Sequence, residues 1–326
     1  MTDLKLKILH SVQTDLEQIE TALSQNLRPY LDLVSKTARH ILFSGGKRLR
    51  PLLMVLSARL CGYTGNKDKH YSTIFEYLHA ATLLHDDLVD GASIRRGKPV
   101  AHSIYGGPTA VLVGDFLLAR GLSIAAETGK TQVIEIIADI TENMSQGEIH
   151  QLLKKESFDM TESEYMEIIR RKTGVLIQGA CRVGALLANA PRTREMALAE
   201  YGYHLGIAFQ MADDLLDYTA DTSVLGKTVG ADLREGKLTL PVIHALEKAS
   251  PESRSKIRDI IRNKDFSVEE FHFLVDMLTR YEGIDYTRKK ATEFIQKAKN
   301  TLSLFEPGQT RETLEDIADY ALDRKA

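Results

Sequence analysis

Two aspartate clusters carry the spacing in this chain that most directly implies chemistry: His85-Asp86-Asp87-Leu88-Val89-Asp90 and Asp213-Asp214-Leu215-Leu216-Asp217. Each closes an apolar stretch that reads as helix. Side chains four apart on a helix share a face, so Asp86 stacks beside Asp90 and Asp213 beside Asp217. Like charges so placed repel, and the C-terminal end of a helix disfavours anions further. A bound cation would offset both penalties. Carboxylate pairs suit a hard divalent ion such as magnesium, which keeps several waters and shares its shell with substrate phosphates. One such cluster alone is more often a solvated helix end. Two with the same D-D-x-x-D pattern favour a metal-dependent reaction on a phosphorylated substrate, most simply with the clusters facing each other.

An anionic substrate also needs fixed cations. The run Gly45-Gly46-Lys47-Arg48-Leu49-Arg50-Pro51 is a glycine-flanked basic loop that opens a helix. Backbone amides at such a helix start can cradle phosphate, and Lys47 and Arg50 lie one turn apart. Arg95-Arg96 follows the first aspartate cluster, and the guanidinium fork matches diphosphate oxygens. The stretch from Leu225 to Lys237 holds two Gly-Lys pairs, Gly226-Lys227 and Gly236-Lys237, just after the second cluster. A loop bringing lysines over a phosphate would serve as a lid. Taken singly, each of these runs also fits ordinary surface charge. Lys172, beside Thr173 next to an apolar run, fits a lysine reaching to solvent. His79, two turns before Asp86, fits a packed core histidine.

The elements that position these residues read as helices throughout. The pattern predicts helices over roughly 3–25, 51–60, 69–90, 108–127, 131–153, 162–189 and 194–218, with shorter ones in the C-terminal third. Thr161-Glu162-Ser163-Glu164 is a capping box. Proline is scarce, at 8 residues, and sits mostly at segment edges. Alternating β-branched runs that would build a sheet are absent. No low-complexity linker or fixed-period repeat interrupts the pattern. The expectation is therefore an all-α, single large helical bundle occupying 1–326 as one domain, with a central apolar cavity.

Composition narrows the function classes. Hydrophobic residues make up 43% and charged residues 27%, ordinary for a globular chain, and the net charge of −3 presents no overall basic field for nucleic acid. Cys61 and Cys181 sit in apolar, small-residue contexts without metal-ligand spacing, which suits reduced, mostly buried thiols. The sequence shows no signal-peptide pattern, and no stretch is expected to reach the apolar length of a transmembrane segment. A cytoplasmic protein is expected, with peripheral membrane contact left open.

Taken together and in order, these motifs resemble the trans-isoprenyl (polyprenyl) diphosphate synthase family. The basic loop matches over Gly46 to Pro51, and the first aspartate motif over Asp86 to Asp90, continuing into Arg95-Arg96-Gly97. Gly147-Glu148 with Gln151, Lys172-Thr173, Phe209-Gln210 before the second aspartate motif, and the lysines Lys227 and Lys237 also match. The resemblance implies a magnesium-dependent prenyltransferase of the isoprenoid-synthase fold. It would condense isopentenyl diphosphate onto an allylic diphosphate, with farnesyl diphosphate the expected primer. Three magnesium ions per site and a homodimer are implied as well.

By the same resemblance, Asp86, Asp90, Asp213 and Asp217 would bind metal with the allylic diphosphate, with Asp87 and Asp214 as further ligands. Lys47, Arg50, His79 and Arg96 would hold isopentenyl diphosphate. Arg95, Lys172, Thr173, Gln210, Lys227 and Lys237 would hold the allylic partner, with Lys172 and Lys227 counted as catalytic. Ala81 and Thr82, one turn before Asp86, would set product length. Both are small, so a growing tail could pass deeper, as in the long-chain branch whose octaprenyl members supply quinone side chains. Heptaprenyl, nonaprenyl and geranylgeranyl products stay open. A class I terpene cyclase shares the first aspartate motif, but it would carry a different second metal motif and needs no Lys47 and Arg50. A non-catalytic regulatory subunit would be expected to lose aspartates or lysines that this chain retains.

Overall fold

The computed structural model describes residues 3–219 and 230–323. The chain is helical, as expected. In order, its helices are α1 (Asp3–Asn26), α2 (Asp32–Leu42), α3 (Leu49–Leu60), α4 (Asp68–Val89), α5 (Ala101–Tyr105), α6 (Gly107–Glu127), α7 (Thr131–Leu153), α8 (Glu162–Ile169), α9 (Val175–Leu187) and α10 (Arg192–Thr219). After these come α11 (Ala231–Arg234), α12 (Leu240–Lys248), α13 (Pro251–Arg262), α14 (Val268–Arg280), α15 (Gly283–Thr301) and α16 (Gln309–Leu322). Local chemistry sets many of the starts. Prolines occupy the first turn of α6, α12 and α13, where a missing N–H costs nothing. Both halves of the Thr161/Glu164 capping box form at α8.

Contacts divide the chain into two compact units. The first comprises Met1–Thr141, Leu176–Gly202 and Leu302–Asp316; the second comprises Glu142–Val175, Tyr203–Thr301 and Ile317–Ala326. Within the first unit, α4 packs on α1, α3 and α6. It buries Tyr71, Ile74, Phe75, Tyr77, Leu78, Ala81 and Leu84. The Tyr77 hydroxyl is satisfied there by donating to the Leu23 carbonyl at 2.6 Å. Gly184 of α9 lies so close to α3 that a Cβ would sit 2.4 Å from the Met54 carbonyl oxygen. Within the second unit, Met160, Tyr165, Ile207, Met211, Phe266 and Phe271 belong to one buried cluster.

Four features differ from the sequence expectation. Helix α2 was not anticipated, although it buries Thr37, Ala38, Ile41 and Leu42 at helical spacing. A two-stranded antiparallel ladder, β1 (Ile94–Arg95) and β2 (Lys98–Pro99), pairs Ile94 with Pro99 and Arg95 with Lys98. Its two-residue turn, Arg96-Gly97, has φ of +53° and +73°, the pattern of a tight hairpin turn. The helix expected over 162–189 is broken by a π-turn at Arg170–Gly174.

The fourth difference concerns length and hydropathy. Helix α6 does reach the length and apolar composition of a membrane span. It also carries Asp115 and Arg120 in mid-helix. A stripe of Ala110, Val113, Gly114, Leu117, Gly121, Ile124 and Ala125 is buried, as in a core helix. Both cysteines are unpaired, Cys181 fully buried and Cys61 partly so. Burial pushes their thiols up to about 12 and about 11, which keeps them protonated and unreactive.

Candidate active site

In the first unit the first aspartate cluster closes α4, with Asp90 at its C-cap. Asp86 and Asp90 are partly exposed, whereas Asp87 between them is buried. Asp87 accepts a hydrogen bond from Arg95 Nε at 2.7 Å. The β-hairpin thus positions Arg95 against the middle aspartate. The exposed Arg96 donates from its guanidinium to the Gly45 carbonyl, which ties the hairpin to the basic loop. Arg48, next to Lys47, is 5% exposed and pairs with Glu20 and with the buried Glu76. The arginine field reaches His79 on α4. Burial first, then Arg50, Arg96, Arg95 and Arg48, hold its imidazole well below the ordinary histidine range. Several guanidinium groups thus act on His79, and cations of this kind suit an anionic ligand.

This depression has a sign. Native His79 binds no proton where the unfolded chain does, below about pH 6.5. Its contribution to stability is present above that pH and is lost on acidification. The substrate-free protein is therefore expected to lose stability from this group as the pH falls below about 6.5. A His79→Gln variant should show a shallower loss over the same interval in thermal melts. Parallel curves would mean that His79 is charged in the native state.

In the second unit the arrangement rests on the π-turn. Widened turns of this kind often mark functional sites, and this one carries Lys172 and Thr173. Two glycines make room for it. A Cβ on Gly147 of α7 would sit 2.7 Å from Arg171 Cβ, and one on Gly206 of α10 would sit 2.8 Å from Gly174 Cα. Lys172 Nζ donates to Gln151 Oε1 at 2.5 Å and pairs with Glu148. The Thr173 hydroxyl donates to Gln210 Oε1 at 2.7 Å, and Gln210 Nε2 donates to Asp214 Oδ1 at 2.8 Å. The Tyr165 hydroxyl donates to Asp214 Oδ2 at 2.6 Å. Burial, then the neighbouring charge of Asp232, push the Asp214 carboxyl up to about 8.

Asp213 and Asp217 are partly exposed. Asp217 accepts from the Ala231 and Asp232 amides, at 3.1 and 3.2 Å, and so caps α11. Lys237 pairs with Glu235 at 2.6 Å. A cavity of about 120 Å³ is lined by Lys172, Thr173, Gln210, Asp214, Asp232 and Lys237. Lys227 lies outside the described residues.

The two clusters therefore follow one rule. In each, the middle aspartate is buried and hydrogen-bonded within its own unit, while the outer two are partly exposed. The sequence reading missed Arg48, Glu76, Tyr165 and Asp232. Asp232 sat within the lysine-bearing stretch already singled out. Tyr165 precedes Lys172 by two helical turns. Arg48 stands in the basic loop already singled out and Glu76 three residues before His79, but no local pattern tells that the two pair.

Comparison with known proteins gives the family of the chain. The polyprenyl synthetase family matches residues 31–278. Octaprenyl diphosphate synthase of Escherichia coli (strain K12) is 36% identical, covering 98% of both chains. The all-trans-nonaprenyl-diphosphate synthase (geranyl-diphosphate specific) of Rhodobacter capsulatus is 36% identical over 99% of this chain and 98% of its own. Among solved structures, the polyprenyl synthase of Caulobacter crescentus CB15, complexed with calcium and isoprenyl diphosphate, superimposes with a TM-score of 0.92. It is 36% identical and covers 98% of each chain. The all-helical fold and this near-complete similarity make the chain a prenyltransferase of the polyprenyl synthetase family.

Proposed function

We propose that the chain is a long-chain trans-polyprenyl diphosphate synthase that adds isopentenyl diphosphate stepwise to an allylic diphosphate such as farnesyl diphosphate. An octaprenyl product for quinone side chains is the favoured length. The observation that carries this reading is the cavity at the π-turn, where cations, hydroxyl and amide donors and carboxylates meet. In this reading Lys47, Arg50, His79 and Arg96 hold isopentenyl diphosphate. Arg95, Lys172, Thr173, Gln210, Lys227 and Lys237 hold the allylic diphosphate.

The residues fit a hard divalent cation. The partly exposed Asp86, Asp90, Asp213 and Asp217 offer only oxygen, and among the described residues no three acidic, histidine or cysteine side chains cluster to enclose an ion. Such an ion would complete its shell with diphosphate oxygens and water. Magnesium, three ions per site, is the proposed occupant, and it supplies charge neutralisation for the leaving diphosphate. Asp87 and Asp214, turned to Arg95 and Tyr165, serve as second-rank ligands at most.

The allylic C–O bond breaks and the diphosphate departs, stabilised by the lysine and arginine side chains around it. The isopentenyl double bond attacks the resulting allylic cation, forming the new C–C bond. The adduct then loses a proton to the released diphosphate. The apolar helices keep water from the cation.

The test is turnover with magnesium, farnesyl diphosphate and labelled isopentenyl diphosphate, followed by mass spectrometry of the hydrolysed products. A ladder ending in a long polyprenol, abolished by EDTA and restored by magnesium, is expected. Termination at the geranylgeranyl stage would overturn the long-chain reading. Cyclised hydrocarbon would point to a cyclase, and no incorporation to a regulatory subunit.

We also propose that the whole chain acts as one synthase domain and pairs as a homodimer in the cytoplasm, with peripheral membrane contact at product release. The unpaired thiols support the compartment. Helix α6 supports the dimer, because opposite its buried stripe it exposes Leu112 at 66%, with Val111 and Leu122. Leu112→Glu is expected to convert a dimer to monomer in analytical ultracentrifugation. A monomeric parent protein would sink the dimer.

A further inference from the structure

Between the first glycines and α3, the basic loop adopts a backbone that L-residues disfavour. Gly45 and Gly46 have φ of +105° and +147°, and Arg48 has φ of +48° despite its side chain. Such a conformation persists only where surrounding structure over-determines it, and it concentrates at ligand-holding segments. Here the surroundings are specific. Arg48 Nε donates to Glu20 Oε1 at 2.6 Å, Nη1 to Glu76 Oε1 at 2.7 Å, and Nη2 to the Leu42 carbonyl. Arg48 and Glu76 are both almost fully buried, at 5% and 6% exposure. The guanidinium groups of Arg48 and Arg96 pass within 3.1 and 3.3 Å of where a Cβ on Gly46 would stand. Arg48 is thus directed into the protein while its neighbour Lys47 is exposed.

We propose that Arg48 is a positioning residue: clamped between Glu20 and Glu76, it holds the loop in the shape that presents Lys47 and Arg50 to isopentenyl diphosphate. The inference rests on the reading of Lys47 and Arg50 as ligands of that substrate. The fork geometry is essential to it. Two carboxylates from different helices and a carbonyl are engaged at once, which a lysine ammonium on a flexible stem cannot reproduce. Glu76 has a second effect. It stands three residues before His79 and pairs with the buried Arg48 at 2.7 Å, so that charge is not offered to an anion.

The experiment compares Arg48→Lys, Arg48→Gly, Glu76→Gln and Glu20→Gln in the full chain. For each, the KM of isopentenyl diphosphate, the KM of farnesyl diphosphate, kcat and a thermal melt are measured. Arg48→Lys and Glu76→Gln are expected to raise the isopentenyl KM about tenfold or more, with the farnesyl KM and kcat within about twofold. Glu20→Gln removes only the half-exposed partner, leaves the fold intact, and should raise the same KM about threefold. Arg48→Gly accepts the positive φ without strain but has no clamp, so it should behave like Arg48→Lys. A wild-type isopentenyl KM in Arg48→Gly or Glu20→Gln would overturn the proposal, as would a lowered melting temperature with both KM values unmoved or raised in parallel. Calorimetric titration with isopentenyl diphosphate separates the underlying reading. Wild-type protein that turns over but shows no loss of affinity in Lys47→Ala and Arg50→Ala would overturn that reading, whatever Arg48 does.

Discussion

Replacing Asp86 by alanine is expected to lower kcat about 10³-fold or more, since a metal contact supplies several kcal/mol of charge stabilisation and each 1.4 kcal/mol is a factor of ten. The same change should cost the metal-free protein less stability than Asp87→Ala. Asp86 stands in the last turn of α4, four residues from Asp90, where an anion is opposed by the helix dipole and by its neighbour. Activity and stability therefore separate at this position. Asp87→Ala should show the reverse. That side chain is buried against Arg95 at 2.7 Å, so its removal strands a guanidinium and lowers the melting temperature. The same contrast should hold between Asp213→Ala and Asp214→Ala. Magnesium titrations of kcat beside thermal melts of the metal-free variants decide the matter. Equal loss of activity and stability at Asp86 and Asp87 would mean that the two residues share one role.

Thr82→Phe is expected to shorten the product by several isoprene units while leaving the first condensation close to its wild-type rate. Thr82 lies one turn before Asp86, about 6 Å down the helix axis. It is partly exposed, with its hydroxyl turned to the His79 carbonyl. A phenyl ring there has room to stand in the path of a growing tail. Ala81 is a harder position. It is 2% exposed, so phenylalanine must overpack α4 against its neighbours at a cost of about 1–3 kcal/mol. Ala81→Phe is thus expected to lower the melting temperature, and any shortening must be read against that loss. Mass spectrometry of the hydrolysed product ladders measures both variants. Wild-type length in both would exclude this level of α4 as the floor.

Much of the molecule is legible in the sequence, for local reasons. The ends of α4 and α7 follow from apolar periodicity and turn residues, and α8 from a capping box four residues long. The two D-D-x-x-D motifs are legible because a helix converts a spacing of four into a shared face. What stayed hidden depends on residues distant in sequence. The π-turn around Lys172 and Thr173 packs closely on Gly147 and Gly206, which no local pattern reports. The split of each cluster into one buried and two partly exposed aspartates needs Arg95 for Asp87 and Tyr165, 49 residues away, for Asp214. The basic loop shows the division most clearly. Sequence alone determined that Lys47, Arg48 and Arg50 lie together where a helix begins. Only the tertiary structure decided that Arg48 turns inward, because buried charge must find a partner, and its partners Glu20 and Glu76 are each 28 residues away along the chain.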